Sequence, residues 1–183
     1  MLNIEVITGG MFCGKTTLLQ KKIREAQKVE YFKTYVFKPS TDNRYSESSV
    51  VSHDGVEEDA IAVRHGMQIV HYVMQDELVS PEHKKVVFID EAQFFDKILE
   101  NVIQRLVILG CDVVIAGLDL DSNGRPFGGM PSAIAMATKI HKLTARCKCG
   151  NESYVTTNKN KKGIVQVGNE GYEPTCIKCF YNN

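Results

Sequence analysis

The stretch Gly9-Gly10-Met11-Phe12-Cys13-Gly14-Lys15-Thr16 has the spacing G-x-x-x-x-G-K-T, which binds the polyphosphate of a nucleoside triphosphate. Its glycines let backbone amides turn inward around the phosphates. Lys15 can reach the β- and γ-phosphates, and Thr16 offers a hydroxyl to Mg²⁺. A second chemical pair follows the apolar run Val86-Val87-Phe88-Ile89: Asp90 and Glu91. A carboxylate at the carboxyl end of a buried strand sits beside the phosphate loop in folds of this kind, so Asp90 is the natural partner for the Mg²⁺ shell. Glu91 is the candidate general base, because a sugar hydroxyl attacking a γ-phosphate must lose its proton. The plainer reading is a pair of acids capping the next helix. The phosphate loop favours the catalytic one.

The cysteines sort into pairs. Cys147-Lys148-Cys149 is C-x-C and Cys176-Ile177-Lys178-Cys179 is C-x-x-C, with a short β-prone insert between them. Converging on one point, four thiolates form a closed tetrahedral Zn²⁺ site. A redox dithiol and unrelated thiols are the alternatives. Structural zinc is favoured because so small an insert needs a staple. Cys13, inside the phosphate loop, and Cys111, at the start of a buried strand, read as packed small residues. His53 lies in a long polar loop, where a local hydrogen bond is the favoured reading.

These groups need elements to position them. Asn3 to Ile7 is a β-branched run, and Thr17 to Ile23 opens a helix, which gives the phosphate loop its strand and helix. Tyr35 to Pro39 reads as a second strand, followed by a polar loop from Ser40 to Ser49. Met67 to Leu78 and Lys97 to Leu109 carry apolar residues at helical spacing, the second ended by Gly110. Val86 to Ile89 and Val113 to Ala116 read as strands buried on both faces. Pro131 to Thr138 reads as a short helix, and Ile140 to Arg146 as the last strand of the main sheet. Strand and helix alternate, which predicts an α/β fold of the P-loop, RecA-like type: a parallel sheet with helices on both faces. Beyond Arg146, polar residues, cysteines and short β-prone runs (Ser153 to Thr157, Ile164 to Val167) take over. The expected domains are residues 1–145, which bind nucleotide, and 146–183, a small β-rich zinc-binding unit.

The chain has 183 residues, with 22 Lys and Arg balanced by 22 Asp and Glu. That neutrality argues against an affinity driven by nucleic-acid phosphates, and Lys159-Asn160-Lys161-Lys162 reads as a solvated loop. No stretch is long and apolar enough to span a membrane, and the N-terminus has no charged-then-apolar leader. A cytoplasmic protein is expected, which makes a disulfide framework an unsuitable account of the six cysteines.

Several motifs in one order carry a family resemblance: Gly10 to Thr16, then Asp42-Asn43-Arg44-Tyr45 with His53 downstream, Asp90-Glu91-Ala92-Gln93-Phe94, Gly117-Leu118-Asp119 with Arg125-Pro126-Phe127-Gly128, and the four paired cysteines. Across nearly its whole length the chain resembles the type II thymidine kinases, the cytosolic, zinc-containing, tetrameric kind. The resemblance implies that ATP phosphorylates the 5′-hydroxyl of thymidine or deoxyuridine, in pyrimidine deoxynucleotide salvage. It implies Glu91 as the base, Asp90 on Mg²⁺, and Gln93 among the ATP- and phosphate-binding residues. It implies a lasso loop, Val165-Gln166-Val167-Gly168 followed by Tyr172, which closes over the nucleoside. Met11, Phe94, Leu118, Ser122, Phe127 and Thr156 match positions lining the base pocket. A homotetramer and feedback binding of thymidine triphosphate are implied as well, with neither nucleic acid nor membrane as a partner.

The chain departs from the family's pattern in four places. Cys13 stands where Ser is frequent, Ser122 where a Phe commonly contacts the nucleoside, and Asn158 where an Arg often anchors the lasso. The C-x-C knuckle is shorter than the common form. A kinase of another deoxynucleoside is one alternative. A zinc-ribbon P-loop ATPase acting on nucleic acid is another, opposed by the neutral charge.

Overall fold

A computed structural model describes residues 2–40, 49–51, 57–77, 82–95, 97–159 and 171–182. Asp42 to Tyr45, His53 and the lasso residues Val165, Gln166, Val167 and Gly168 lie outside the described residues.

The β-branched opening forms β1 (Ile4–Thr8), and the phosphate loop leads from it into α1 (Lys15–Gln27). Next come β2 (Phe32–Pro39), a short antiparallel pair β3 (Ser49–Val51) and β4 (Glu57–Asp59), and β5 (Ile61–Val63). After them α2 (Gly66–Glu77) leads to β6 (Lys84–Ile89), a 3₁₀ turn (Ala92–Phe95), α3 (Ile98–Ile108) and β7 (Asp112–Gly117). The main unit closes with α4 (Met130–Met136) and β8 (Lys139–Lys142). Around the cysteines lie two small antiparallel pairs: β9 (Ala145–Arg146) with β10 (Glu152–Ser153), and β11 (Val155–Asn158) with β12 (Tyr172–Thr175). The last helix is α5 (Ile177–Tyr181).

The main sheet has six parallel strands in the order β5-β2-β6-β7-β1-β8. Helix α1 buries Leu19, Ile23 and Ala26, a stripe at helical spacing, against one face with Ile7, Phe88 and Val114. Helices α2, α3 and α4 cover the other face, around Phe37, Ile89, Leu99, Ile103 and Ile115. Helices on both faces of a parallel sheet are what the alternating pattern predicts. Strand β7 stands between β1 and β6, and all three send their carboxyl ends to one edge. That edge is where ligands bind in open α/β sheets.

Some boundaries differ from expectation. Strand β2 starts at Phe32, because Phe32, Lys33 and Thr34 already pair with Lys84, Lys85 and Val86. Lys33 breaks the apolar pattern, yet its ammonium pairs with Asp76 of α2. Strand β5 has three residues, too few for a periodicity signal. The expected final strand, Ile140 to Arg146, is two elements. Its ladder to β1 finishes with the Leu143 N–H donating to the Thr8 C=O at 2.8 Å, so it stops where its partner gives way to the phosphate loop. Ala145 and Arg146 then pair with β10 instead. Among the described residues, no helix is long and apolar enough to cross a membrane.

Candidate active site

The phosphate loop joins β1 to α1 through three residues with positive φ, Gly9 (φ 137°), Phe12 (φ 64°) and Gly14 (φ 86°). Gly14 caps α1 without a side chain, so no capping oxygen competes with an anion for the first amides. Lys15 Nζ donates to the Gly10 C=O at 2.7 Å, which holds the ammonium against the loop backbone. The Met11 N–H donates to Thr156 Oγ1 at 2.7 Å, which commits that amide to β11.

Asp90 and Glu91 stand at the carboxyl end of β6. Asp90 is buried, and its Oδ1 accepts the Glu91 N–H at 2.9 Å. Glu91 takes φ 48°, a backbone conformation that costs a non-glycine residue about 1–3 kcal/mol and that clusters at functional sites. Its carboxylate Oε2 accepts a hydrogen bond from Gln93 Nε2. Gln93 Oε1 in turn accepts the Leu118 N–H at 3.0 Å.

Gln93 is 0% exposed, and both ends of its amide are bonded inside the protein. It thereby ties Glu91 to the backbone beyond β7. The arrangement requires Gly128. That residue has φ 52°, and an added Cβ would lie 1.8 Å from the Gln93 carbonyl oxygen. A buried amide placed two residues after a paired carboxylate is a signal that could have revealed this linking role in the sequence.

The expected base-pocket residues come together in groups. Phe94 and Phe127 meet edge-to-face, with ring centroids 5.9 Å apart. Phe127 is held by its N–H to the Asp119 C=O at 3.0 Å, and Leu118 by Gln93. Asp121 Oδ1 accepts the Asn123 and Arg125 N–H groups, both at 2.9 Å, and so folds the loop that carries Ser122. Phe180 of α5 lies against Gly124 in the same loop, a contact not foreseen in the sequence. Beside Phe94 opens a cleft of about 610 Å³, bordered by Arg64, His65, Lys97, Ile98 and Gly128. Tyr172 stands on β12 opposite Asn158 of β11.

The sulfurs of Cys147, Cys149, Cys176 and Cys179 lie within 4.8 Å of one another, and among the described residues they form a group that could hold a metal ion. The Gly150 N–H donates to the Cys147 C=O at 2.8 Å, so a tight turn brings both sulfurs of the C-x-C knuckle inward. Cys176 caps α5, its sulfur accepting the Cys179 N–H at 3.4 Å. Hydrogen bonds from the Cys149 and Cys176 backbone bring the Cys147 thiol down to about 6. Cys179, hydrogen-bonded to the sulfurs of Cys149, Cys176 and Cys147, is pushed up to about 12. Four soft donors at this spacing suit a thiophilic cation that displaces the remaining protons.

The strand order, the glycine loop and the carboxylates at the facing strand end define a P-loop protein that binds nucleoside triphosphates. The chain belongs to the thymidine kinase family, whose model matches residues 2–180. A thymidine kinase from Bacteroides thetaiotaomicron is 39% identical over 184 residues, covering 97% of this chain and 86% of that one. Solved structures with a similar fold include the genome packaging NTPase B204 from Sulfolobus turreted icosahedral virus 2 in complex with ATP-gammaS. It has a TM-score of 0.53 and 14% identity, over 81% of this chain and 78% of that one. The same NTPase with sulfate has a TM-score of 0.52 and 18% identity, over 81% and 77%. At such identities the likeness concerns the fold alone.

Proposed function

We propose that this protein transfers the γ-phosphoryl group of ATP to the 5′-hydroxyl of thymidine, or of deoxyuridine, in pyrimidine deoxynucleotide salvage. Membership of the thymidine kinase family supports the substrate. The observation that carries the mechanism is the bonded series Glu91–Gln93–Leu118, which ties a carboxylate to a wall of the pocket.

In this reading the phosphate loop, Gly9 to Thr16, holds the polyphosphate, and Lys15 leaves the Gly10 carbonyl to meet the β- and γ-phosphates. The Thr16 hydroxyl and the Asp90 carboxylate are oxygen donors suited to Mg²⁺, which neutralises charge on the β- and γ-phosphates when bound. Glu91 accepts the proton of the 5′-hydroxyl. The O5′–Pγ bond forms while the bond from Pγ to the β–γ bridging oxygen breaks, and ADP leaves. Met11, Phe94, Leu118, Ser122, Phe127, Thr156 and Tyr172 would line the nucleoside pocket, and Val165 to Gly168 would close it.

Residues 146–183 form the proposed zinc unit, with Cys147, Cys149, Cys176 and Cys179 as ligands in a structural role. A cytoplasmic homotetramer with thymidine triphosphate as a feedback ligand completes the proposal. A phosphoryl-transfer assay over thymidine, deoxyuridine, deoxycytidine and deoxyguanosine, with metal content measured on the same sample, tests it. Thymidine-dependent ADP formation is expected. ATP hydrolysis indifferent to any nucleoside would overturn it.

A further inference from the structure

The Met11–Thr156 contact joins two parts of the chain to which the sequence assigns separate tasks. Met11 is the third residue of the phosphate loop. Thr156 lies on β11, inside the cysteine-bearing unit, and is 4% exposed. Its hydroxyl oxygen accepts the Met11 N–H at 2.7 Å. The loop is pressed against that hydroxyl: a Cβ added at Gly10 would lie 2.9 Å from Thr156 Oγ1.

The position of Thr156 depends in turn on the cysteines. Strand β11 pairs with β12, Val155 opposite Thr175 and Thr156 opposite Pro174, and Cys176 follows β12 directly. Ser153 Oγ, buried, lies 3.0 Å from the Val155 carbonyl and 3.1 Å from the Thr175 carbonyl, sharing one proton between them. On the other side β10 pairs with β9, which runs into Cys147. The sulfurs that converge to within 4.8 Å therefore close a short frame, and the Thr156 hydroxyl projects from that frame onto the phosphate loop.

We propose that Thr156 is a positioning residue through which the metal-stapled cysteine unit holds the phosphate loop in its nucleotide-binding conformation. Metal loading would thereby raise affinity for the phosphate donor before any nucleoside arrives. The idea rests on the reading of Gly9 to Thr16 as a nucleotide site. It goes beyond a pocket-wall role for Thr156, because it assigns the hydroxyl to the donor side. The side chain's two halves can be separated. Thr156→Ser keeps the oxygen and loses the methyl, while Thr156→Val keeps the shape and loses the acceptor.

The test is the affinity for Mg·ADP, measured by titration calorimetry without nucleoside, on the full-length wild type and both variants. Each is used zinc-loaded and after chelation, with circular dichroism recorded on every sample. Loaded wild type and Thr156→Ser should bind alike. Loaded Thr156→Val should bind about tenfold more weakly, because the half-buried Met11 N–H loses its acceptor. Chelation should weaken wild type by a similar factor and Thr156→Val by little more. Equal affinity of loaded Thr156→Val and loaded wild type overturns the proposal, and that comparison does not depend on the chelated protein staying folded. So does chelation that weakens Thr156→Val as much as it weakens wild type. Failure of loaded wild type to bind Mg·ADP at all overturns the phosphate-loop reading itself, and this inference with it.

Discussion

Asp90 Oδ1 accepts the backbone N–H of Glu91 at 2.9 Å, while the Glu91 backbone turns left-handed at φ 48°. Two consecutive carboxylates thereby receive different surroundings. Asp90 is buried at the strand end and bonded to backbone, whereas Glu91 is half-buried and bonded to the Gln93 amide. Such a division suits one acid that holds a cation and one that takes a proton.

Gln93→Leu should separate positioning from binding. It removes the Gln93 hydrogen bond from the Glu91 carboxylate and leaves the Leu118 N–H without that acceptor, which destabilises the fold by about 1–3 kcal/mol. Turnover should fall about 10- to 100-fold, with a smaller change in KM for ATP, since the Gln93 amide bonds to Glu91 and Leu118. Steady-state kinetics alongside thermal melts check this. A rise in KM for ATP with turnover unchanged would instead make Gln93 a phosphate-site residue.

Gly128→Ala should be among the costlier single-methyl changes. The new Cβ meets the Gln93 carbonyl at 1.8 Å, and the backbone lies at φ 52°. A loss of more than about 2 kcal/mol is expected, because a backbone atom must move. Denaturant unfolding measures it, and a loss below about 0.5 kcal/mol would contradict the packing described.

Glu5→Gln addresses stability far from the chemistry. Burial raises the Glu5 pKa, but hydrogen bonds from Lys22 and His141 outweigh it and hold the carboxyl below its ordinary value, helped by Lys22 and Lys139 charges. Lys22 Nζ lies 2.7 Å from Glu5 Oε1. A depressed carboxylate pKa stabilises the fold above the unfolded value, and the benefit is lost as pH falls through the folded one. Wild type should therefore exceed the variant in stability above the ordinary carboxylate range, with the gap closing in more acid solution. Melts from pH 3 to pH 8 decide it; a gap that does not change with pH would contradict the account.

Cys176→Ser removes one donor from the four-sulfur group and the cap of α5 together. Bound zinc should fall from one per chain towards none, and the β11–β12 pair should become a site of rapid proteolysis. Metal analysis and limited digestion read both outcomes. Full zinc content in the variant would show that the four sulfurs do not share one ion.

Much of this was legible in the residues. The glycine loop, the apolar runs before Asp90 and Leu118, and the cysteine pairs lie on contiguous segments whose spacing reports their geometry. Strand β5 was hidden by its length of three residues, and the early start of β2 because Lys33 interrupts the apolar pattern and finds its partner only in the folded chain. The link from Gln93 to Glu91 is local, but its bond to Leu118 spans 25 residues and leaves no local trace. Thr156 was placed in the pocket by resemblance, but its bond to Met11 spans 145 residues and leaves no local trace.

The central claim is that Glu91 deprotonates the 5′-hydroxyl of a nucleoside held beside the phosphate loop. Transfer of radiolabelled γ-phosphate from ATP to thymidine, measured for wild type and Glu91→Gln, tests it most directly. The account predicts labelled thymidine monophosphate formed one for one with ADP by wild type, and turnover about 10²- to 10⁴-fold lower in the variant with Mg·ADP affinity unchanged. A Glu91→Gln protein that keeps most of its turnover would contradict it.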